Sequence, residues 1–430
     1  MPATISGIAE PLLSITDTAI VGNIPVDGLE SLAAAGIVGS FLSMLIWVLG
    51  QTRSSISAIV SQYLGAGKLE EVKHLPAQAI FFNILLSIVV LLSTVFLVEE
   101  IFRLFNASGK ILDYCISYYS IRVWGFPLTL FTFAIFGIFR GLQNTFYPML
   151  IAIMGAALNI LLDFALVYGI DGLVPPLYLE GAAWASLISQ AIMAIMALVF
   201  LLKKTEISMK LVFPLHKEMM RVVSMSLNLF VRTLALNAAL MLAVREATAL
   251  GDQFIGAHTI AINLWLFAAF FIDGFAAAGN SMGGKLLGAG DYDGLWKLAK
   301  KIMQYGMLVS LMLMVVGFIF YRPIGQIFSN EAMVLQTFYG IFYIVILGLP
   351  MNTLAFVFDG LFKGMGEMKY LRNVLLAATF LGFIPSLYLG IYLGWGIHAI
   401  WLAFVVWMLV RGLALVWKFR RKFRPLVQNP

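Results

Sequence analysis

Cysteine occurs once in this chain, at Cys115, and histidine only four times. One thiol forms no internal disulfide, and histidines so scattered make no metal-ligand cluster, so thiol redox chemistry and zinc are poor fits. Charge is scarce as well. Only 12 % of the 430 residues are charged against 61 % hydrophobic, and the mean hydropathy is +0.94. That leaves too little polar surface to coat a water-soluble globule of this length, so the chain reads as an integral membrane protein. Enzyme signatures are missing too: there is no HExxH, no GxSxG and no acid-rich loop motif, and the expectation is a protein that is not an enzyme. "YLGAGK" at 63 to 68 and "LLGAGD" at 286 to 291 lack the GxxxxGK[ST] spacing of a phosphate loop and follow apolar segments, so they read as turns.

What is present is a succession of apolar stretches long enough to cross about 30 Å of hydrocarbon. They predict about twelve spans, near 2 to 24, 32 to 62, 76 to 102, 113 to 139, 148 to 170, 180 to 202, 222 to 249, 255 to 284, 295 to 320, 333 to 362, 372 to 394 and 398 to 417. The links between them alternate in charge. One set carries Lys68, Lys73, Arg140, Lys203, Lys204, Lys210, Lys217, Arg221, Lys285, Lys363, Lys369, Arg372 and the tail "KFRRKFRP", while the other offers little beyond Lys110 and Arg322. By the positive-inside rule the basic set is cytoplasmic, which puts both termini inside a multi-pass protein of the cell (plasma, inner) membrane. The +6 balance then reports orientation and anionic lipid heads, not nucleic acid. The N-terminus begins abruptly, with no basic lead-in, so either the chain starts inside its first helix or an upstream start precedes it. It does not read as a cleaved signal peptide.

The chain also repeats itself. "GFPLTLFTFAIFGIFRGLQN" at 125 to 144 answers to "GLPMNTLAFVFDGLFKGMGE" at 348 to 367, pairing Pro127 with Pro350, Gly137 with Gly360, Arg140 with Lys363 and Gly141 with Gly364, at an offset of 223 residues. "LGAGK" and "LGAGD" pair at the same offset, as do Ala34 with Ala257 and Ile37 with Ile260. The fold class expected is therefore an all-α polytopic membrane protein, with two homologous six-helix lobes inserted the same way up around a central cleft. The expected organisation is an N-terminal lobe over 1–202, a basic cytoplasmic linker over 203–221, a C-terminal lobe over 222–417 and a basic tail over 418–430. Two like lobes that can rock suit a secondary transporter better than a receptor, a scaffold or a channel.

Within that frame the charges inside the lobes are informative. In "AEPLLSITDTAIVGN", residues 9 to 23, Glu10 and Asp17 are seven apart and fall within about 20° of each other on a helix, with Ser14 between them. In the fifth span Asn159 and Asp163 stack four residues apart. At the 223 offset Asp17 falls on Leu240, Asn159 on Gly382 and Asp163 on Ser386, so the second half lacks this set. An aspartate at mid-helix costs about 2.5 to 3.5 kcal/mol on the insertion scale, which makes function the simplest reason to keep two. If the two acids are close they titrate as one coupled unit, and Pro11, which lacks an N–H, supplies a bend in the first helix that protonation alters.

The segments "PLLSITDTAIVG", "GFP...FRGLQNT", "LNILLD", "GAAWASLISQ" and "LFVRTLALNAAL...FFIDGFA...LLGAG" together resemble the multidrug and toxic compound extrusion (MATE) transporters, specifically their DinF-like branch, over essentially the whole chain. The resemblance implies twelve helices in two lobes, export of organic compounds and a first-lobe cation site at Asp17, Asn159 and Asp163, with Ser186 as the sixth-helix hydroxyl where relatives often have threonine. Two departures matter. The acid of the family's "RGxxDT" pattern is Asn144 here, and the second-lobe acids of sodium-coupled relatives have no counterpart. Both favour protons over sodium.

Other intramembrane charges carry supporting readings. Arg232 and Asp273 lie at comparable depth in the seventh and eighth spans, which predicts a buried ion pair between them, and Asp359 in "FVFDGLFKG" contacts substrate or Lys363. The function expected is a monomeric antiporter, without cofactor, that exports small organic, drug-like cations in exchange for protons by alternating access. Two alternatives stand beside it. One is a lipid-linked oligosaccharide flippase, whose cavity should be rich in Arg and Lys; the other is an exporter of organic anions such as citrate, known from plant relatives of this branch, for which Arg232 could serve.

Overall fold

A computed structural model gives the structure of the chain and describes residues 16–17, 20–25, 27–170 and 172–428. Glu10, Pro11 and Ser14, and most of the span expected over 2 to 24, lie outside the described residues. The rest is helical, as hydrocarbon demands of a backbone that must satisfy its own N–H and C=O groups. After short helical pieces at 16–17 and 20–22 come α1 (Gly28–Leu49), α2 (Thr52–Gly65), a 3₁₀ turn (Leu69–Val72), α3 (Leu75–Val95), α4 (Val98–Leu104), α5 (Gly109–Arg122), α6 (Gly125–Gly141), α7 (Phe146–Val167) and α8 (Tyr178–Lys204). They are followed by α9 (Lys217–Leu250), α10 (Asp252–Gly288), α11 (Tyr292–Phe328), α12 (Ala332–Leu347), α13 (Leu349–Gly364), α14 (Met368–Ala377), a π-helical segment (Ala378–Phe383), α15 (Ile384–Tyr392) and α16 (Ile397–Gln428). Among the described residues nine helical stretches are long and apolar enough to cross a bilayer, and two bent helix pairs raise the number to eleven. The chain is a multi-pass membrane protein.

The two bends fall at matched places. α5 and α6 meet at 46°, α12 and α13 at 47°, and the second member of each pair opens with Pro127 or Pro350. A proline has no N–H to donate, so the helical ladder is interrupted one turn earlier. At the first bend Phe126 N–H donates to Val123 O at 3.0 Å, a tightened turn in place of the usual spacing. The π-helical segment precedes another proline, Pro385, and Trp407 Nε1 donates to the hydroxyl of Thr379 within it at 3.0 Å. The two "LGAG" segments are indeed turns: Gly67 N–H donates to Leu64 O and Gly290 N–H to Leu287 O, the same bond 223 residues apart.

The chain divides into two compact units, one of residues up to Val60 with Lys68–Ser224, the other of Ser61–Gly67 with Met225 onward. In the first, Ile20, Val21 and Ile24 pack with Ala34, Val38 and Phe41 of α1, Tyr119 of α5 and Ala182 of α8. Tyr168 Oη donates to Ile20 O at 3.0 Å, so the segment that carries Asp17 is tied to the end of α7. In the second, Trp265, Phe383, Trp401, Phe404 and Trp407 form an aromatic core joining α10, the π-helical segment and α16.

Small residues set the closest helix contacts in each unit. A Cβ on Gly137 of α6 would stand 2.6 Å from Arg53 O of α2, and one on Gly141 2.6 Å from the Val60 side chain and 3.1 Å from Ser57 O. In the second unit a Cβ on Gly360 of α13 would stand 2.0 Å from Ala276 O of α10, and one on Gly364 2.2 Å from Asn280 O. These are two small-xxx-small contacts in which backbone meets backbone. They are in the same register, because Arg53 pairs with Ala276 and Ser57 with Asn280 at the 223 offset.

Candidate ion-coupling site

In the first unit α7 presents Asn159 and Asp163 one turn apart, and both are buried, at 6 % and 0 % exposure. Asn159 Nδ2 donates to Asp163 Oδ2 at 3.0 Å. The Asp17 carboxyl, half-buried, stands within hydrogen-bonding reach of the Asp163 carboxyl and acts on it electrostatically. Among the described residues Oδ1 of each acid is buried without a hydrogen-bond donor. Two carboxyls that face each other in this way have no donor to share unless one carries a proton.

Two residues of α5 complete the surroundings. Tyr118 is buried and lies in the field of both acids, and the Arg122 guanidinium sits over its ring at 5.8 Å while also acting on Asp163. Among the described residues Arg122 Nε is buried without a hydrogen-bond partner. Neither residue was singled out by the sequence reading. A signal for Arg122 was there, since a base well inside a predicted span is costly unless paired. Ser186, on α8, is buried, and its Oγ makes no hydrogen bond among the described residues.

The second unit corrects one expectation. Arg232 of α9 pairs with Asp359 of α13, not with Asp273, which is exposed on α10. Depth along a helix fixes only one coordinate; the direction in which a side chain leaves the helix decides its partner, and Asp273 leaves toward the surface. Lys363, one turn on from Asp359, holds the other carboxylate oxygen, Oδ2, at 3.0 Å. Arg411 of α16, which the sequence reading did not single out, stands 3.8 Å from Oδ1. Asp359 thus ties α9 and α16 to its own helix.

A duplicated bundle of membrane helices that carries an acid pair in its first half is the plan of a membrane transporter. The sequence model of the MatE family matches the chain twice, over residues 2–165 and 229–389, and the chain belongs to that family, whose members are transporters and not enzymes. It is similar to DNA damage-inducible protein F of Escherichia coli (strain K12), 26 % identical over 434 residues, which covers 99 % of this chain and 91 % of that protein. Among solved structures it resembles a MATE protein in the bent conformation, with TM-score 0.91 and 19 % identity over 100 % of this chain and 94 % of that one. It also resembles the outward-facing conformation of a multidrug resistance MATE family transporter of the MOP superfamily, with TM-score 0.88, 19 % identity and coverage of 100 % and 95 %.

Proposed function

We propose that this protein is a proton-coupled antiporter of the plasma membrane that exports organic compounds, drug-like cations foremost, with both termini cytoplasmic. The observation that carries the reading is the contact between the Asp17 and Asp163 carboxyls. With both acids ionised and Arg122 charged, the set holds one net negative charge; a single proton cancels it. An organic cation and a proton therefore compete for the same negative site, and arrival of one expels the other. The resemblance to a multidrug resistance transporter supports the cargo class.

Asn159 favours a proton over sodium. It turns its amide nitrogen, a donor, toward Asp163, whereas a hard cation needs converging oxygens. Arg122 would add repulsion to any metal cation at the site. Reconstituted vesicles decide between the two: uptake of ethidium should follow an imposed pH gradient without sodium, and uptake driven by a sodium gradient at constant pH would sink the proton reading. Single cysteines placed at Lys68, Arg140, Lys210 or Arg424 should be labelled only from the cytoplasmic side, and labelling from outside would reverse the topology.

A further inference from the structure

The segment that joins α8 to α9, residues 205–216, leaves apolar side chains uncovered outside any helix. Leu211, Val212, Phe213, Pro214 and Leu215 are five exposed residues in a row, with Phe213 at 64 % and Leu215 at 53 % exposure. Exposed lysines border the run, Lys204 and Lys210 before it and Lys217 after it. Between 203 and 221 five basic residues stand against two acids, and one of those, Glu218, is held by Arg221 at 3.2 Å. A loop surrounded by water has no use for such a run; apolar exposure of this extent marks a contact surface.

The main chain of the segment is tied down. Thr205 Oγ1 donates to Leu201 O at 2.6 Å at the end of α8, and Ile207 is buried. Gln78 of α3, itself buried, turns both ends of its amide to the segment: Nε2 donates to Val212 O at 2.7 Å, and Oε1 accepts from His216 N–H at 2.8 Å. The two bonds bracket Phe213, Pro214 and Leu215 and hold their main chain against α3, while their side chains stay uncovered. All of these residues belong to the first unit.

Gln78 also fixes the depth. α3 runs over 21 residues, Leu75–Val95, about the length that crosses the hydrocarbon, so its first turn stands where acyl chains give way to headgroups. Main chain bonded to that turn lies at the same level, and the segment continues at Lys204 and Lys217 into the spans of α8 and α9. The uncovered run therefore lies at the height of a bilayer surface.

We propose that residues 210–217 form an interfacial strap, which seats Leu211, Phe213 and Leu215 at the bilayer surface and binds anionic lipid headgroups through Lys204, Lys210 and Lys217. An unbroken apolar run bordered by charge of one sign complements an apolar layer capped by phosphates. The lysine stems lie along the apolar layer and carry their ammonium groups out to those phosphates. The inference needs only that the chain spans a membrane; it depends neither on the reading of Asp17 and Asp163 nor on which side the strap faces.

The test places a nitroxide on the full-length chain in nanodiscs of phosphatidylcholine, alone or mixed with phosphatidylglycerol. Cys115 is buried and is the one native thiol, so Cys115→Ala with Phe213→Cys or Leu215→Cys gives a single label at an exposed position. Collisions with oxygen, which enters lipid, should exceed collisions with a water-soluble nickel chelate, as they should at Ile195→Cys on the exposed face of α8. Phosphatidylglycerol should shift the balance further toward oxygen, and the share of it needed for half of that shift should rise about fivefold with Lys210→Gln. Gln78→Leu should raise the mobility of the label at Phe213→Cys and leave that at Ile195→Cys unchanged; an unchanged strap would remove Gln78 from the proposal. Nickel collisions in excess at both strap positions place the run in water and overturn the inference. Access by neither reagent means that protein covers it, the chain itself or a second copy, and overturns it as well. Equal behaviour in the two lipid mixtures overturns the headgroup assignment. No cargo or gradient is involved, so failure here leaves proton coupling untouched, and failure of proton coupling leaves the strap untouched.

Discussion

Asp163 and Asp359 are both buried acids on membrane helices, one in each unit, and their neighbours are of opposite kinds. Asp163 has an amide, a distant guanidinium and a second carboxyl that competes with it. Asp359 has two guanidinium groups and an ammonium. At the 223 offset the sets do not correspond: Arg232 falls on Ala9, Asp359 on Phe136 and Arg411 on Ile188, while Arg122 falls on Val345. Only Lys363 keeps its sign, opposite Arg140. Where Asp163 sits in the first unit the second has Ser386, whose hydroxyl donates to Gly382 O on its own helix at 2.7 Å and asks nothing of its neighbours. A buried acid is thus a different device according to its company. Beside a second carboxyl it keeps one oxygen without a donor among the described residues; among three cations it ties helices together.

The contrast breaks most readily at Asp163. Asp163→Asn keeps shape and mimics the protonated acid, so gradient-driven uptake should fall to the level of empty vesicles while the unfolding midpoint stays level or rises. Asp17→Asn should do nearly the same, and the double variant little more, because one shared site is lost only once. Multiplying losses would separate the two acids. In the second unit the sign reverses for stability: Asp359→Asn removes the common partner of three cations and should cost about 3–5 kcal/mol, read as a lower unfolding midpoint in detergent. Equal stability of the Asp163→Asn and Asp359→Asn proteins would end the distinction drawn between the two acids.

Smaller effects test what the units share. Gly360→Ala and Gly137→Ala each push a methyl against a carbonyl oxygen, at 2.0 and 2.6 Å, so both should destabilise by about 1–3 kcal/mol, the second-unit variant more. The smallest effect belongs to a contact of the first unit outside the spans. Asp27 accepts from Tyr114 Oη at 2.7 Å and from Lys110 Nζ at 2.9 Å, and these bonds, that of Tyr114 foremost, hold its carboxyl below the usual carboxylate range. A lowered value in the folded state means stability that is present above the ordinary carboxylate value and lost as pH falls through the lower one. Tyr114→Phe should therefore lower the unfolding midpoint slightly at neutral pH, and the difference from wild type should shrink in acid.

Much of this was legible because hydrocarbon imposes strict rules. Span lengths follow from bilayer thickness, and the eleven spans among the described residues coincide with predicted ones. The stacking of Asn159 on Asp163 follows from helical periodicity alone. The bends could be suspected from Pro127 and Pro350, but their angles depend on packing. Partner choice was not legible. Arg232 and Asp273 were matched by depth, and counting along two helices says nothing of the rotation of one about its axis. Arg411 lies inside the span predicted over 398 to 417, and nothing in the local sequence marks its partner. Its burial comes from Trp407 and Phe356, the latter more than fifty residues away in sequence, and such a neighbour leaves no local trace.

The glycine contacts have a consequence for descent. At Gly137 and Gly360 the surface being met is peptide, the carbonyls of Arg53 and Ala276, and peptide is the one part of a chain that substitution cannot alter. After a gene is doubled, each copy can change its side chains at these positions so long as the glycines stay, because the close approach at Gly137 and Gly360 is to main chain. That Arg53 stands in one copy where Ala276 stands in the other, at the same joint, is such an exchange left in place. A scaffold jointed through its main chain tolerates divergence of function between copies, which is how one ancestral bundle could give rise to a half that gathers acids and a half that gathers bases.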